Sequence, residues 1–178
     1  MAEILTVGHS VHEADQFLGV LHGHGVELLV DVRRYPASRR VPHFNAGVLA
    51  QTLASGGIGY EHAEELGGRR SPVADSPNGG WTNEQFQGYA DHMASDEFAA
   101  ALKRLEGRAA ERRTTVMCAE APWWRCHRRL LADALVVKGH DLLHLDGRGG
   151  AVAHELTDFA LVEGGRLTYP PAQESLEV

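Results

Sequence analysis

The two cysteines of the chain lie close together in a segment that could support thiol chemistry, residues 114–133. Cys118 follows an apolar run, Glu120 comes two residues later, and Cys126 directly precedes His127. A thiolate is a nucleophile and a metal ligand, and a positioned carboxylate can transfer a proton. We therefore predict that Cys118, Glu120 and Cys126 are catalytic residues.

The pattern of residues 114–133 predicts a strand, a loop and a helix. Residues 114–117 are typical of a buried strand, Pro122 interrupts the pattern, and Leu130 and Leu131 begin an apolar helical face. A helix from residue 124 or 125 would place residues 125–128 in its first turn. Unpaired N–H groups and the helix dipole favour anions there and lower the pKa of a thiol.

The same segment also has structural interpretations. Because side chains alternate along a strand, we expect Cys118 and Glu120 on one side, where burial would raise the pKa of Glu120 and suit it to proton transfer. Alternatively, Cys118 is only a small buried residue, and Cys126 is packed under Trp123 or Trp124.

The rest of the chain alternates apolar strands with helical patterns. The strands are expected at residues 4–7, 26–32, 58–60, 114–117 and 141–145. This alternation predicts an α/β fold with a mostly parallel sheet, helices on both faces and a Rossmann-like three-layer architecture. We expect one domain over residues 1–150, and an extension at 151–178 that packs on it and includes a short helix near residues 154–162.

One long connection contains too many glycines and prolines for regular structure. It spans residues 61–81, and loops of this length in compact domains are usually functional or mobile. We interpret it as a flap over the site.

Polar side chains follow several of the predicted strands. Ligands of parallel sheets bind at the carboxyl ends of the strands, so these side chains should meet at one edge. The predicted substrate-binding residues are His9, Ser10, Asp31, Arg33, Arg69, Arg125, His127 and Arg128. Two of these assignments have structural alternatives: Ser10 and Glu13 form a capping-box pattern, and Asp31 with Arg33 could form a salt bridge.

The charge composition restricts the partners. A net charge of -7 argues against non-specific attraction to nucleic acid or acidic membranes. Of the 17 basic residues, only Lys103 and Lys138 are lysine, and the arginine guanidinium binds phosphate and carboxylate through two donors at once. We expect a small anionic or nucleotide-like substrate. An alternative substrate is an exposed nucleic-acid base that stacks on the tryptophans.

The N-terminal sequence and the hydropathy predict a cytoplasmic protein. The acidic start of the chain does not resemble a signal peptide, and no apolar run is long enough to cross a membrane. Two cysteines are too few for a disulfide scaffold, which leaves free thiols, metal ligands or a redox pair. A homodimer through the tryptophans or the tail after Gly150 stays open.

Several short motifs occur together along the chain. They are TVGHS at residues 6–10, Asp31-Val32-Arg33 with Pro36 and Ser38, Phe44-Asn45, Tyr60, Leu66-Gly67-Gly68-Arg69, Tyr89-Ala90, MCAE at residues 117–120 and CHR at residues 126–128. In combination they resemble the family called domain of unknown function 488, over residues 4–145. The resemblance implies a shared fold and site and supplies no reaction.

Three classes of function remain open. The first is a thiol- or carboxylate-dependent transferase or hydrolase for an anionic substrate, including persulfide chemistry on Cys118 or Cys126. A cysteine-phosphatase loop is rejected because Trp124 stands where its arginine would be required. The second is a zinc or iron centre formed by Cys118, Cys126 and His127. The third is a non-catalytic sensor of a nucleotide-like ligand.

Overall fold

A computed structural model describes residues 1–172, so the last part of the extension expected at 151–178 lies outside the described residues. The regular elements alternate along most of the chain. The helices are α1 (Ala14–Gly23), α2 (Ala46–Ser55), α3 (Glu84–His92), α4 (Asp96–Glu111) and α5 (Arg128–Val137). The strands are β1 (Glu3–Gly8), β2 (Leu28–Asp31), β3 (Gly59–His62), β4 (Thr114–Cys118), β5 (Asp141–Leu145), β6 (Ala151–Ala153), β7 (Leu161–Glu163) and β8 (Arg166–Thr168).

The main sheet has six strands in the order β3-β2-β4-β1-β5-β6. The first five are parallel, and β6 pairs antiparallel with β5. Gly8 pairs with Cys118, and Asp31 pairs with Met117, so β1, β2 and β4 end level with one another. The segments that follow these strands therefore begin at the same edge.

The alternation of side chains along the strands divides the core into two halves. On β1, Ile4 belongs to the half covered by α3, α4 and α5, whereas Leu5 and Val7 belong to the half covered by α1 and α2. Both faces of the sheet are thus buried, as expected for a parallel sheet.

This arrangement confirms the predicted three-layer α/β fold with a mostly parallel sheet. The strand order differs from the 3-2-1-4-5-6 order of dinucleotide-binding folds, because β4 lies between β1 and β2. The order depends on pairing between strands that are distant in sequence, which the apolar pattern does not encode.

Two predicted helix starts are wrong. Helix α1 begins at Ala14 with Glu13 at its N-cap and no side-chain cap, because Ser10 lies in a left-handed turn with φ 48°. Helix α5 begins at Arg128, because Trp123–Arg125 form a 3₁₀ turn and Cys126 is extended, with φ -127° and ψ 154°. Arg125 and Cys126 therefore precede the helix.

The predicted helix at residues 154–162 is also wrong. Strands β7 and β8 form a hairpin in which Glu163 pairs with Arg166, and the two intervening glycines have φ values of 56° and 80°. Two-residue turns with positive φ favour glycine, and they match the twist of the flanking strands. Within residues 1–172, no helix has the length and apolar character needed to span a membrane.

Candidate functional site

A cavity of about 350 Å³ opens at the carboxyl edge of the sheet. Segments that follow β1, β2, β3 and β4 form its wall. The sequence-predicted residues in the wall are His9, Arg33, Arg69, Cys118, Glu120, Arg125, Cys126 and His127. The wall does not include Ser10, Asp31 or Arg128. The structure thus brings eight of the eleven candidates together around one cavity.

The two cysteines form the most compact chemical feature of the cavity. Cys118 is the last residue of β4, Cys126 lies two residues before α5, and both are buried free thiols. Their Sγ atoms lie 2.8 Å apart, so either thiol can donate a hydrogen bond to the other sulfur. Because β4 and the segment before α5 hold the cysteines separately, the pair depends on the tertiary fold.

The two thiols differ in acidity. Burial tends to raise the pKa of Cys126, but the hydrogen bond with Cys118 and the neighbouring His127 and Arg128 outweigh burial and lower it well below the usual value. Burial, together with the hydrogen bond and the charge of Cys126, raises the pKa of Cys118. Cys126 is therefore the thiolate of the pair, and Cys118 is the thiol that donates to it.

Arg128 was predicted to bind substrate. It is instead buried next to the thiols, with 1% of its surface exposed, and it does not reach the cavity. It donates to the carbonyl oxygens of Glu120 and Ala121. Burial alone would lower the pKa of Arg128, but its interactions with the sulfurs of Cys118 and Cys126 outweigh burial and raise it.

No carboxylate lies within 4.0 Å of the Arg128 guanidinium among residues 1–172. A buried guanidinium is costly unless a negative charge compensates it. The thiolate of Cys126 supplies that charge, so Arg128 and Cys126 stabilise each other's charged form.

Gly8 allows Arg128 to reach the loop after β4. A Cβ atom at Gly8 would overlap the carbonyl oxygen of Glu120 and would lie 2.9 Å from Nη2 of Arg128. Any larger residue at this position would therefore displace either the loop or the guanidinium.

The predicted burial of Glu120 is wrong, because its side chain is exposed in the cavity wall. Strand β4 ends at Cys118, so strand alternation no longer applies two residues later. The carbonyl oxygen of Glu120 accepts a hydrogen bond from Arg128 and lies 3.8 Å from Sγ of Cys118, and Glu120 itself lines the cavity.

Asp31 holds the Arg33 side chain in position. It is fully buried, and its carboxylate accepts hydrogen bonds from Nε of Arg33 at 2.9 Å, Nη2 of Arg33 at 2.6 Å and the hydroxyl of Tyr60 at 2.9 Å. The Asp31–Arg33 pair is thus the salt bridge that the sequence left open. Arg33 still reaches the cavity wall, whereas Asp31 only orients it.

His9 connects this salt bridge to the strand next to the cysteines. Its Nδ1 donates to the carbonyl oxygen of Ser10 at 2.8 Å, and its Nε2 accepts from Nη1 of Arg33 at 3.3 Å. Burial is the main cause that lowers the pKa of His9 to about 4, so the ring is neutral at pH 7. Ser10 contributes only its backbone to this arrangement.

The rim of the cavity is positively charged. Arg34, Arg69 and Arg125 line the wall, and none has a carboxylate within 4.0 Å among residues 1–172. The exposed ring of Tyr35 lies 5.8 Å from the guanidinium carbon of Arg34 and 5.7 Å from that of Arg69. The rim combines guanidinium donors with an exposed aromatic ring.

The predicted flap contains more regular structure than expected. Residues 61–62 belong to β3, and Glu64–Leu66 form a 3₁₀ turn. The following loop is fastened to α3, because Asp91 accepts hydrogen bonds from the Val73 amide, the Ser76 hydroxyl and the Asn78 amide.

This loop also contacts His127. A Cβ atom at Gly68 would lie 2.8 Å from Nδ1 of His127. The same Nδ1 lies 3.5 Å from Sγ of Cys126, and the buried Nε2 has no hydrogen-bond partner among the described residues. His127 therefore lies between the loop and the thiolate.

Sequence reasoning missed a buried chain of polar side chains behind the site. The Thr6 hydroxyl donates to Nδ1 of His144 at 2.6 Å, and Nε2 of His144 donates to Nδ1 of His154 at 2.9 Å. Nε2 of His154 donates to Asp133 at 2.8 Å. Burial, followed by the charges of His154 and Arg128, lowers the pKa of His144 to about 3.

A charged side chain stands at each end of this hydrogen-bonded series. Arg128 donates to the Thr6 hydroxyl at 3.4 Å, and Asp133 also accepts from the Tyr169 hydroxyl at 2.7 Å. Every hydrogen bond therefore runs from the guanidinium towards the carboxylate. Two polar residues at apolar positions could have indicated this series from the sequence: Asp133 on the buried face of α5 and His144 within β5.

The cysteines and His127 do not have the geometry of a metal centre. Two sulfurs bound to one tetrahedral zinc at about 2.3 Å lie about 3.8 Å apart. The observed separation is 2.8 Å, and the charge of Arg128 lies next to both sulfurs. Among residues 1–172, no group of three or more His, Cys, Asp or Glu side chains is arranged to hold a metal ion.

The fold and the cavity together define a three-layer α/β protein with a thiol pair at the carboxyl edge of its sheet. Residues 13–135 match the family described as Domain of unknown function DUF488, and the chain belongs to this family. The match is shorter than the expected 4–145 and leaves out the TVGHS motif. No curated protein and no solved structure matches the chain.

Proposed function

We propose that this protein is a cysteine-dependent enzyme that acts on a phosphate-bearing, nucleotide-like substrate. The observation that carries the proposal is the pair of thiols in the cavity wall, with sulfurs 2.8 Å apart, next to the buried guanidinium of Arg128. A buried arginine without a carboxylate partner maintains the nucleophilic form of the thiol at neutral pH.

The arginines of the rim support this class of substrate. Arg34, Arg69 and Arg125 present guanidinium groups that are not neutralised by neighbouring acidic side chains within residues 1–172. Guanidinium groups bind phosphate through paired hydrogen bonds. The exposed Tyr35 ring offers a stacking surface for a base, and a cavity of about 350 Å³ admits a mononucleotide-sized group.

The proposed chemistry uses the thiolate as the nucleophile. Sγ of Cys126 forms a bond with an electrophilic atom of the substrate, and the leaving group departs with the electron pair of the broken bond. His127, 3.5 Å from the sulfur, is placed to move a proton to that group. The exposed Glu120 carboxylate is the base in the cavity wall that is available to activate water for release of the product.

The experiment is protection of Cys126 from iodoacetamide by phosphate-bearing ligands. Inorganic phosphate and the nucleoside monophosphates are added separately to reduced protein, and adducts on Cys126 are counted by peptide mass spectrometry. We expect protection that saturates with ligand, weakens at least several-fold in Arg69→Gln and is retained in the control Arg166→Gln. Arg166 is exposed on β8 and absent from the cavity wall.

A second step tests catalysis with the ligands that protect best. We expect product formation that is lost in Cys126→Ser while binding is retained, because the serine hydroxyl is a poorer nucleophile than a thiolate. Full turnover in Cys126→Ser, or equal protection in wild type and Arg69→Gln, would contradict the proposal.

A further inference from the structure

We propose that Cys118 and Cys126 form a reversible disulfide when a hydroperoxide oxidises the site. The inference rests on the same Cys126 thiolate as the proposed function. It adds a two-electron oxidation that converts this thiolate into a disulfide, which is no longer a nucleophile. It assigns distinct roles to the pair: Cys126 is the residue attacked by peroxide, and Cys118 is the residue that resolves the product.

The geometry favours a bond between these two cysteines. Their Sγ atoms lie 2.8 Å apart, so an approach of about 0.8 Å reaches the disulfide bond length of about 2.0 Å. Cys118 is fixed at the end of β4, and its register is set by the pairing of Cys118 with Gly8. Cys126 lies in the short extended stretch between the 3₁₀ turn and α5, which can make this small shift without moving the helix.

Both cysteines border the cavity. Cys118 and Cys126 line its wall and are 2% and 5% exposed, so a reagent reaches them through the cavity. Hydrogen peroxide is far smaller than the cavity volume of about 350 Å³.

The oxidation takes place in two balanced steps. The Cys126 thiolate attacks the terminal oxygen of the hydroperoxide, the O–O bond breaks, and the other oxygen leaves as hydroxide or alkoxide while the sulfur becomes a sulfenic acid. Cys118 then attacks that sulfur: an S–S bond forms, the S–O bond breaks, and the hydroxyl leaves as water with the proton of the Cys118 thiol. The peroxide is reduced by two electrons, and the two thiols are oxidised by two.

The surroundings of the pair favour return to the dithiol. Oxidation removes the negative charge that compensates Arg128, which is 1% exposed and has no carboxylate within 4.0 Å among residues 1–172. A disulfide whose reduced form is stabilised in this way is readily reduced. The oxidised state is therefore expected to reverse with a dithiol reductant.

The experiment treats the reduced full-length protein with one equivalent of hydrogen peroxide and measures intact mass and peptide masses. We expect the loss of two hydrogen atoms per chain, a Cys118–Cys126 linked peptide, monomeric migration on a non-reducing gel and full reversal by dithiothreitol. In Cys118→Ser, we expect a sulfenic acid on Cys126 that dimedone traps. In Cys126→Ser, we expect no oxidation at the same dose.

Sulfinic acid on Cys126 with a free Cys118 in the wild-type protein would overturn the proposal, and so would two thiols that survive this treatment. The outcome is separable from the proposed function, because ligand protection is measured on reduced protein without peroxide. Protection without a disulfide would reject only this inference. A disulfide without protection would support the redox pair and reject the proposed substrate class.

Discussion

Nδ1 of His127 lies 3.5 Å from Sγ of Cys126, and the next residue along the chain is the deeply buried Arg128. We expect the rate of Cys126 alkylation to reach half its maximum below pH 8.5, the ordinary value for a cysteine. His127→Gln removes a group that lowers the pKa of Cys126, so the midpoint should rise. His22→Gln, on the exposed end of α1, should leave it unchanged. Stopped-flow or quenched alkylation from pH 5 to 10 measures both midpoints.

Gly8→Ala is expected to damage the thiolate site and the stability together. The added methyl group overlaps the Glu120 carbonyl and crowds Arg128, and overpacking of this kind costs about 1–3 kcal/mol. Gly19→Ala is the matched control, because it lies in α1 with open space around its Cα and should be neutral or stabilising by about 0.5–1 kcal/mol. Urea unfolding and Cys126 alkylation at pH 7 are the readouts. An unchanged alkylation rate in Gly8→Ala would show that Arg128 does not support the thiolate.

Asp133→Asn is expected to be among the most destabilising conservative substitutions in the chain. The carboxylate is fully buried and accepts from His154, Thr157 and Tyr169. Breaking a buried charged network typically costs about 3–5 kcal/mol. Tyr169→Phe removes one bond to the same carboxylate and should cost about 1.5–3 kcal/mol. Asp158→Asn, at an exposed position, serves as the control, and chemical unfolding gives all three values.

Acid is expected to weaken the fold through two buried histidines. The pKa values of His9 and His144 are lowered from 6.5 to about 4 and about 3, mainly by burial. Between pH 6.5 and 4 the unfolded chain therefore binds protons that the folded chain does not, so stability falls as the pH falls. The slope should reach about 1.4 kcal/mol per pH unit for each histidine. Urea unfolding at pH 6.5, 5.5 and 4.5 measures it, and His144→Gln should show a smaller slope.

The sequence was sufficient for the layers of the fold and the edge that carries the site. Apolar runs marked β1, β2, β4 and β5, and parallel strands necessarily bring their carboxyl ends to one edge. Motifs such as MCAE and CHR could be assigned to that edge because each follows a strand or precedes a helix. These features depend on local periodicity, which a single sequence displays.

Other features depend on contacts between distant residues. Arg128 was predicted to bind substrate because it was expected in the exposed first turn of a helix, where anions are favoured, yet the loop carbonyls and the thiol pair contact it in the interior. Thr6 and His144 are 138 residues apart in the sequence, so no local sequence pattern predicts their contact. The start of α5 was misplaced because a 3₁₀ turn shares the first part of the helical pattern.

The most direct test of an activated thiolate in a cationic cavity compares two alkylating reagents of similar size, iodoacetate and iodoacetamide. The ratio of their rate constants at Cys126 is measured at pH 7 and referred to the same ratio for glutathione. Because Arg34, Arg69 and Arg125 line the cavity, we expect the anionic reagent to be favoured over the glutathione reference. The ratio should fall several-fold in Arg69→Gln and remain unchanged in Arg166→Gln. A ratio at or below that of glutathione, insensitive to Arg69→Gln, would contradict the account.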